Sequence, residues 1–155
     1  MSQPGWATEE GTANYRKRFD GGIPANHFQR SQGLSLSSIG IGTYLGNHDS
    51  ATDEFYEKAV IRAVELGSNV IDSAINYRFQ RSERSIGAAL KALAAKGIGR
   101  SEIVVATKGG FIPFDGSPSQ DVSSYFQETF VKKGIASFSD VVAGCHCMTP
   151  SYILN

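Results

Sequence analysis

The chain has 155 residues, of which 41% are hydrophobic and 19% are charged, so its apolar content suffices for the core of one globular domain. Fifteen basic and fifteen acidic side chains cancel to a formal net charge of +0, which argues against nucleic acid or a membrane surface as a partner. No apolar run approaches the ~20 residues of a membrane span, and the polar start lacks the apolar region of a signal peptide. We therefore expect a cytoplasmic protein.

Residues 1–26 carry several glycines and prolines among polar side chains, a composition typical of a flexible N-terminal arm. From His27 onward, apolar and polar residues alternate around a turn at residues 31–33, which predicts a small β-hairpin. Residues 27–155 are therefore predicted to form the folded domain.

A glycine-rich strand, residues 38–44, follows the hairpin. Its glycines do not have the G-x-G-x-x-G spacing of a dinucleotide-binding turn, and a polar loop separates them from the next helix. Glycines lack Cβ, so they suit a strand whose end approaches a flat ligand, although a crowded barrel strand explains them equally well.

Helices and strands then alternate. The predicted elements are a helix from about Thr52 to Leu66 capped by Ser50, a strand at Asn69–Asp72, a helix from about Ser82 to Ala95 and a strand at Ile103–Thr107. Short connections in this order predict right-handed β-α-β units and a parallel sheet.

The C-terminal part gives weaker signals. They are a long loop at residues 109–116, a helix over residues 122–133, a strand or extended loop at residues 141–144, and a helix that begins at Thr149 and Pro150. Cys145 and Cys147 are too close for an unstrained disulfide, and structural zinc uses four ligands at wider spacing. We predict reduced thiols and no metal site.

The ends of the two predicted strands carry the chemistry. Asp72 ends one strand, Lys108 follows the other, and Tyr77 lies in the loop between them. Neighbouring parallel strands would bring these three side chains to one edge of the sheet. A phenol is a poor acid at its usual pKa of about 10, but a neighbouring ammonium favours the phenolate. Such a trio could deliver a proton to a developing alkoxide. The alternative is an ordinary Asp–Lys pair beside a loop tyrosine.

The residues resemble the aldo-keto reductase family. The resemblance lies in the entry hairpin, the GIGTY strand at residues 40–44, the IDSAINY block at residues 71–77, the SERSIG helix start at residues 82–87 and the VATK segment at residues 105–108. It implies an α/β fold, the N-terminal part of a (β/α)₈ TIM barrel with an entry β-hairpin and about three barrel strands present.

The resemblance also implies the site. Tyr77 corresponds to the general acid, Lys108 to the cation that makes the phenol more acidic, and Asp72 to the partner of the lysine. Gly42, Thr43 and Tyr44, together with Asp72, would border the nicotinamide of NADPH, with NADH left open. The implied activity is the reduction of a small aldehyde or ketone to an alcohol.

Two features depart from the family pattern. His146 is a poor match to the catalytic histidine of the family, and a whole barrel takes about 250 residues. We expect the chain to be an N-terminal portion of a reductase that is inactive alone. Two alternatives stay open: a non-catalytic partner or regulatory subunit on the same scaffold, and an unrelated enzyme that forms a Schiff base on Lys108. The sequence gives no oligomeric state.

Overall fold

The computed structural model describes residues 5–24 and 26–155. Its helices are α1 (Glu9–Lys17), α2 (Ser50–Glu65), α3 (Arg81–Ala95), α4 (Val122–Phe126) and α5 (Pro150–Ile153). Its strands are β1 (Phe28–Ser31), β2 (Leu34–Ser37), β3 (Ile41–Gly42), β4 (Val70–Asp72), β5 (Val104–Ala106), β6 (Val141–Val142) and β7 (His146–Cys147). A π-helical turn, Gln127–Val131, continues α4, and 3₁₀ turns cover Arg100–Glu102 and Phe138–Asp140.

Strands β3, β4 and β5 form a parallel sheet in that order. Ile41 lies beside Ile71, and Val70 lies beside Val104. Helices α2 and α3 connect these strands, so the predicted β-α-β order is confirmed. The architecture is α/β.

The main core lies between this sheet and the two connecting helices. Apolar residues recur at helical spacing along α2 and α3, so each helix buries one face. The buried cluster contains Tyr15, Phe28, Val60, Val64, Ile71, Ile86, Ala89, Leu90, Leu93, Ile98 and Ile103. Full burial of an aliphatic side chain contributes about 1.5–3 kcal/mol to folding.

The predicted hairpin is confirmed as the antiparallel pair β1–β2. Its link to the parallel sheet is Asn69, which is fully buried at the start of β4. The Asn69 side chain accepts a hydrogen bond from Ser37 N at 2.9 Å and donates to Ser35 O at 2.9 Å and Glu102 O at 3.3 Å. The hairpin is therefore fixed at the end of the sheet opposite to Asp72.

The prediction of a flexible arm is wrong for residues 9–17, which form helix α1. The Tyr15 side chain is fully buried and its hydroxyl donates to Val64 O at 2.5 Å. Gly11 packs so closely that a Cβ there would lie 2.2 Å from Ser101 O. The glycine that indicates a loop in the sequence thus permits a close helix contact. Residues 1–4 of the predicted arm, and Ala25, lie outside the described residues.

Several predicted boundaries need correction. Asp49, not Ser50, caps α2, because its carboxylate accepts the hydrogen bond from Thr52 N at 2.8 Å. The predicted strand at residues 38–44 pairs only at Ile41–Gly42. The helix predicted over residues 122–133 ends as a π-helical turn.

The C-terminal part packs around a second, smaller apolar cluster built on Phe126, Phe130, Ala136 and Cys147. Strands β6 and β7 pair antiparallel beside it. The predicted helix start is confirmed, since α5 has Thr149 at its N-cap position and Pro150 in its first turn.

Within residues 5–24 and 26–155, none of the helices combines the length and the apolar character that crossing a membrane requires.

Candidate active site

Asp72 and Lys108 meet beyond the C-terminal ends of β4 and β5. Asp72 is paired in register with Ala106, two residues before Lys108. The Lys108 Nζ atom donates to Asp72 Oδ1 at 2.8 Å and Oδ2 at 2.9 Å. It also donates to Ser73 O at 2.7 Å, so all three ammonium hydrogens have partners.

The Asp72 carboxylate holds the pKa of Lys108 above its ordinary value, with a smaller contribution from the Tyr77 hydroxyl, while partial desolvation acts in the opposite direction. Lys108 is therefore a cation at neutral pH. Both side chains are about half exposed, at 52% and 51%. Because water screens an ion pair at that exposure, the pair contributes little to stability.

Tyr77 lies against this ion pair. Its ring centroid is 5.1 Å from Lys108 Nζ, and its ring packs edge-on against Tyr44 with centroids 4.9 Å apart. Tyr77 N donates to Ala74 O at 3.0 Å in the turn after β4. The structure thus brings a carboxylate, an ammonium and a phenol into one site, an arrangement suited to proton transfer.

The predicted cofactor residues differ in accessibility. A Cβ built on Gly42 would meet nothing within 4 Å, and Tyr44 is 63% exposed, so both face open space beside the site. Thr43 is fully buried. Its hydroxyl lies 3.1 Å from Asp72 O and 3.0 Å from Ser73 Oγ. Thr43 therefore joins β3 to the end of β4, and its contact with the cofactor stays a prediction.

Of two cavities in this region, one is lined in part by Lys108, and the other by Asn76 and Arg78, the sequence neighbours of Tyr77. One, of about 490 Å³, has Lys108, Gly109 and Phe111 in its wall. The other, of about 460 Å³, is lined by aromatic side chains, including Tyr44 and Phe79. The second cavity has a largely apolar wall that suits the carbon skeleton of a small organic ligand.

His146 is not part of this site. Its ring packs on Phe111 with centroids 5.1 Å apart, and its Nδ1 lies 3.2 Å from Cys145 Sγ. Across the described part of the chain, no hydrogen bond joins it to Asp72, Tyr77 or Lys108. Residues 5–24 and 26–155 also contain no group of three or more His, Cys, Asp or Glu side chains that could hold a metal ion.

Sequence reasoning missed Arg78, which directly follows Tyr77. Its side chain is only 1% exposed and pairs with Asp53 of α2 at 2.5 Å. A single arginine in a loop gives no periodic signal, and the positions of Asp53 and Arg78 do not indicate that they meet. Only the fold reveals the contact.

An ammonium, a carboxylate and a phenol thus lie together beyond the ends of parallel strands in an α/β domain, an arrangement suited to proton transfer. The model of the family described as "Aldo/keto reductase family" matches residues 38–137. This range covers more than half of the chain and includes the whole trio. The chain belongs to the aldo/keto reductase family, and its membership indicates an oxidoreductase that acts on carbonyl compounds.

Proposed function

We propose that the protein reduces an aldehyde or ketone to an alcohol with NADPH, and that Tyr77, Lys108 and Asp72 carry the proton chemistry. The observation that supports this most is the position of Lys108. Its ammonium is held by both oxygens of Asp72, at 2.8 and 2.9 Å, and faces the Tyr77 ring at 5.1 Å.

In this proposal each residue has one task. Tyr77 donates its hydroxyl proton to the carbonyl oxygen of the substrate. Lys108 stabilises the phenolate that remains, because a cation close to a developing anion lowers the energy of the charge-separated state. Asp72 orients Lys108 and keeps it charged. When bound, a reduced nicotinamide would supply the hydride for the carbonyl carbon. Tyr77 would regain its proton from solvent.

The residues beside the trio fit a flat nicotinamide ring. The open space above Gly42 leaves room for an aromatic ring close to the backbone, and the exposed Tyr44 ring offers a surface for stacking. These two residues would hold the nicotinamide end of the cofactor next to Asp72. The preference for NADPH over NADH comes from the family resemblance alone.

The fold we propose is a (β/α)₈ barrel in which β3, β4 and β5 are the first three strands. In such a barrel the active site lies at the C-terminal ends of the strands. Asp72 and Lys108 lie at those ends of β4 and β5, whereas hairpin β1–β2 is bonded to Asn69 at the opposite end. The carbonyl substrate would enter the aromatic-walled cavity next to Tyr44.

The decisive experiment is Tyr77→Phe, which removes the acidic proton and keeps the ring. Because residues 1–155 are expected to be inactive alone, this and every later turnover measurement uses a version of the protein completed to the whole barrel. We expect kcat to fall by about 10²–10⁴, the usual contribution of a positioned general acid, while NADPH affinity stays nearly unchanged. Turnover is measured by the absorbance of the reduced nicotinamide with a panel of small aldehydes, and affinity by cofactor fluorescence.

The matched control is Tyr125→Phe. Its hydroxyl bonds to Pro113 O at 3.0 Å, so it loses a hydroxyl that takes no part in the proposed chemistry, and its kcat should stay within about 3-fold of the original. Equal turnover in Tyr77→Phe and the unchanged protein would refute the proposal. Cofactor binding without any turnover in the unchanged protein would favour a non-catalytic role on the same scaffold.

A further inference from the structure

The turn that follows Tyr77 has an unusual backbone. Arg78, Phe79 and Gln80 all lie in the left-handed region, with φ values of 50°, 57° and 69°. For residues other than glycine this conformation brings Cβ too close to the following carbonyl oxygen. Consecutive residues of this kind persist only where the surrounding structure holds them, and such places cluster at functional sites.

Contacts of the Arg78 side chain help to keep the turn in this conformation. The side chain is 1% exposed, and its guanidinium donates to Asn47 O at 2.8 Å and to Asp53 Oδ1 at 2.5 Å. The guanidinium also lies over the Tyr56 ring, 5.0 Å from the centroid. The other oxygen of Asp53 accepts from Arg81 Nη2 at 2.6 Å. Asp53 on helix α2 therefore ties down both ends of the turn.

The opposite side of the turn is anchored as well. Gln80 Nε2 donates to Phe114 O at 3.0 Å, and Gly116 N donates to Phe79 O at 2.8 Å. Tyr77 is thus followed by a turn that is bonded on two sides. If the turn relaxed to a right-handed conformation, the direction of the chain at Tyr77 would change.

Arg78 has an energetic cost of its own. Within the described residues, its Nη1 atom is buried and has no hydrogen-bond partner. Burying a charged group with an unmade hydrogen bond is unfavourable, and an apolar side chain of similar volume would fill the space without that cost. The arginine is better explained by a task that an apolar side chain cannot perform.

We propose that Arg78, acting through Asp53, is a positioning residue that holds the Tyr77 hydroxyl in place beside Lys108. This inference rests on the proposed function for its catalytic consequence. Proton transfer requires a hydroxyl within hydrogen-bond reach of the substrate oxygen, and a displacement of about 1 Å can lower the rate by about 10²-fold. The left-handed turn is the element through which Arg78 acts.

The test compares Arg78→Met with Arg84→Met. Arg84 is a suitable control because it pairs with Asp115 at 2.6 Å and its side chain is 56% exposed. We expect Arg78→Met to lower kcat by about 10- to 100-fold with KM for the cofactor within about 3-fold, because only the placement of the acid changes. Arg84→Met should leave both parameters unchanged. Arg78→Lys keeps the charge but not the fork of donors, so its kcat should fall between that of Arg78→Met and that of the unchanged protein.

A second readout does not depend on activity. With ¹³C at the tyrosine Cζ atoms, the Tyr77 resonance, assigned by its loss in Tyr77→Phe, should shift in Arg78→Met and in Asp53→Asn but not in Arg84→Met. If Arg78→Met does not fold, Arg78→Lys and Asp53→Asn provide the same comparison. An unshifted resonance together with unchanged kcat would overturn the inference while leaving the proposed function intact. A shifted resonance in a protein without carbonyl reduction would support the positioning role and count against the proposed function.

Discussion

Asn69→Asp should be among the most damaging conservative substitutions in this protein. The Asn69 side chain is fully buried and donates two hydrogen bonds, to Ser35 O and to Glu102 O. The substitution keeps the shape of the side chain but replaces the donating amide nitrogen with an oxygen. An anionic oxygen would then face two carbonyl oxygens, and the contact between the hairpin and β4 would become repulsive.

The magnitude follows from the groups involved. Loss of the two hydrogen bonds costs about 1 kcal/mol each. Burial of a carboxylate without a cationic partner costs several kcal/mol more, and relaxation of the surrounding structure offsets part of that cost. We expect the free energy of unfolding to fall by roughly 3–5 kcal/mol at pH 7, a large share of the roughly 5–15 kcal/mol typical of a domain.

The loss should depend on pH in a defined direction. Burial raises the pKa of the introduced carboxyl in the folded state above its unfolded value of about 3.9. The folded state therefore keeps its proton to higher pH than the unfolded state does, and stability falls as pH rises above about 4. Asn69→Asp should be less destabilising at pH 5 than at pH 7.

Urea denaturation at both pH values measures the effect. Asn14→Asp is the matched control, because Asn14 is exposed on α1 and its side chain accepts a hydrogen bond from Lys17 Nζ at 3.2 Å. We expect that control to stay within about 0.5 kcal/mol of the unchanged protein. A loss below about 1 kcal/mol in Asn69→Asp at pH 7 would show that this buried contact does not join the hairpin to the sheet.

Two further predictions concern α1 and the ion pair. Gly11→Ala should destabilise the protein by about 1–3 kcal/mol, because the added Cβ would lie 2.2 Å from Ser101 O; Gly87→Ala, in open space on α3, should instead stabilise it by about 0.5–1 kcal/mol. Equal effects in urea denaturation would contradict the close helix contact. In Asp72→Asn the pKa of Lys108 should fall, since Asp72 is the main cause of its elevation, and the alkaline limb of the kcat profile should move to lower pH. If the alkaline limb does not move, the charge of Lys108 does not control kcat.

The sequence alone determined the order of elements and the place of the trio. Apolar periodicity along residues 52–66 and 82–95 indicates two amphipathic helices, and short β-branched runs between them indicate parallel strands. Once strands are known to be parallel neighbours, Asp72 and Lys108 must meet at the same end. The helices and strands could be predicted because each depends on a pattern of apolar residues within about a dozen consecutive positions.

Only the tertiary structure decided which residues support that site. Helix α1 has local signals, an N-cap at Thr8 with acidic residues in its first turn and basic residues in its last, but its packing was not visible in the sequence, because the Tyr15 hydroxyl meets Val64 O, 49 residues away. Asp53 bonds to Arg78, which is 25 residues away in the sequence. The left-handed turn that this contact holds contains no glycine, so the sequence does not indicate it. Thr43 is fully buried and its hydroxyl bonds to Asp72 O of β4, 29 residues away. Contacts between distant residues depend on how the elements pack, and packing is a property of the whole chain rather than of any segment.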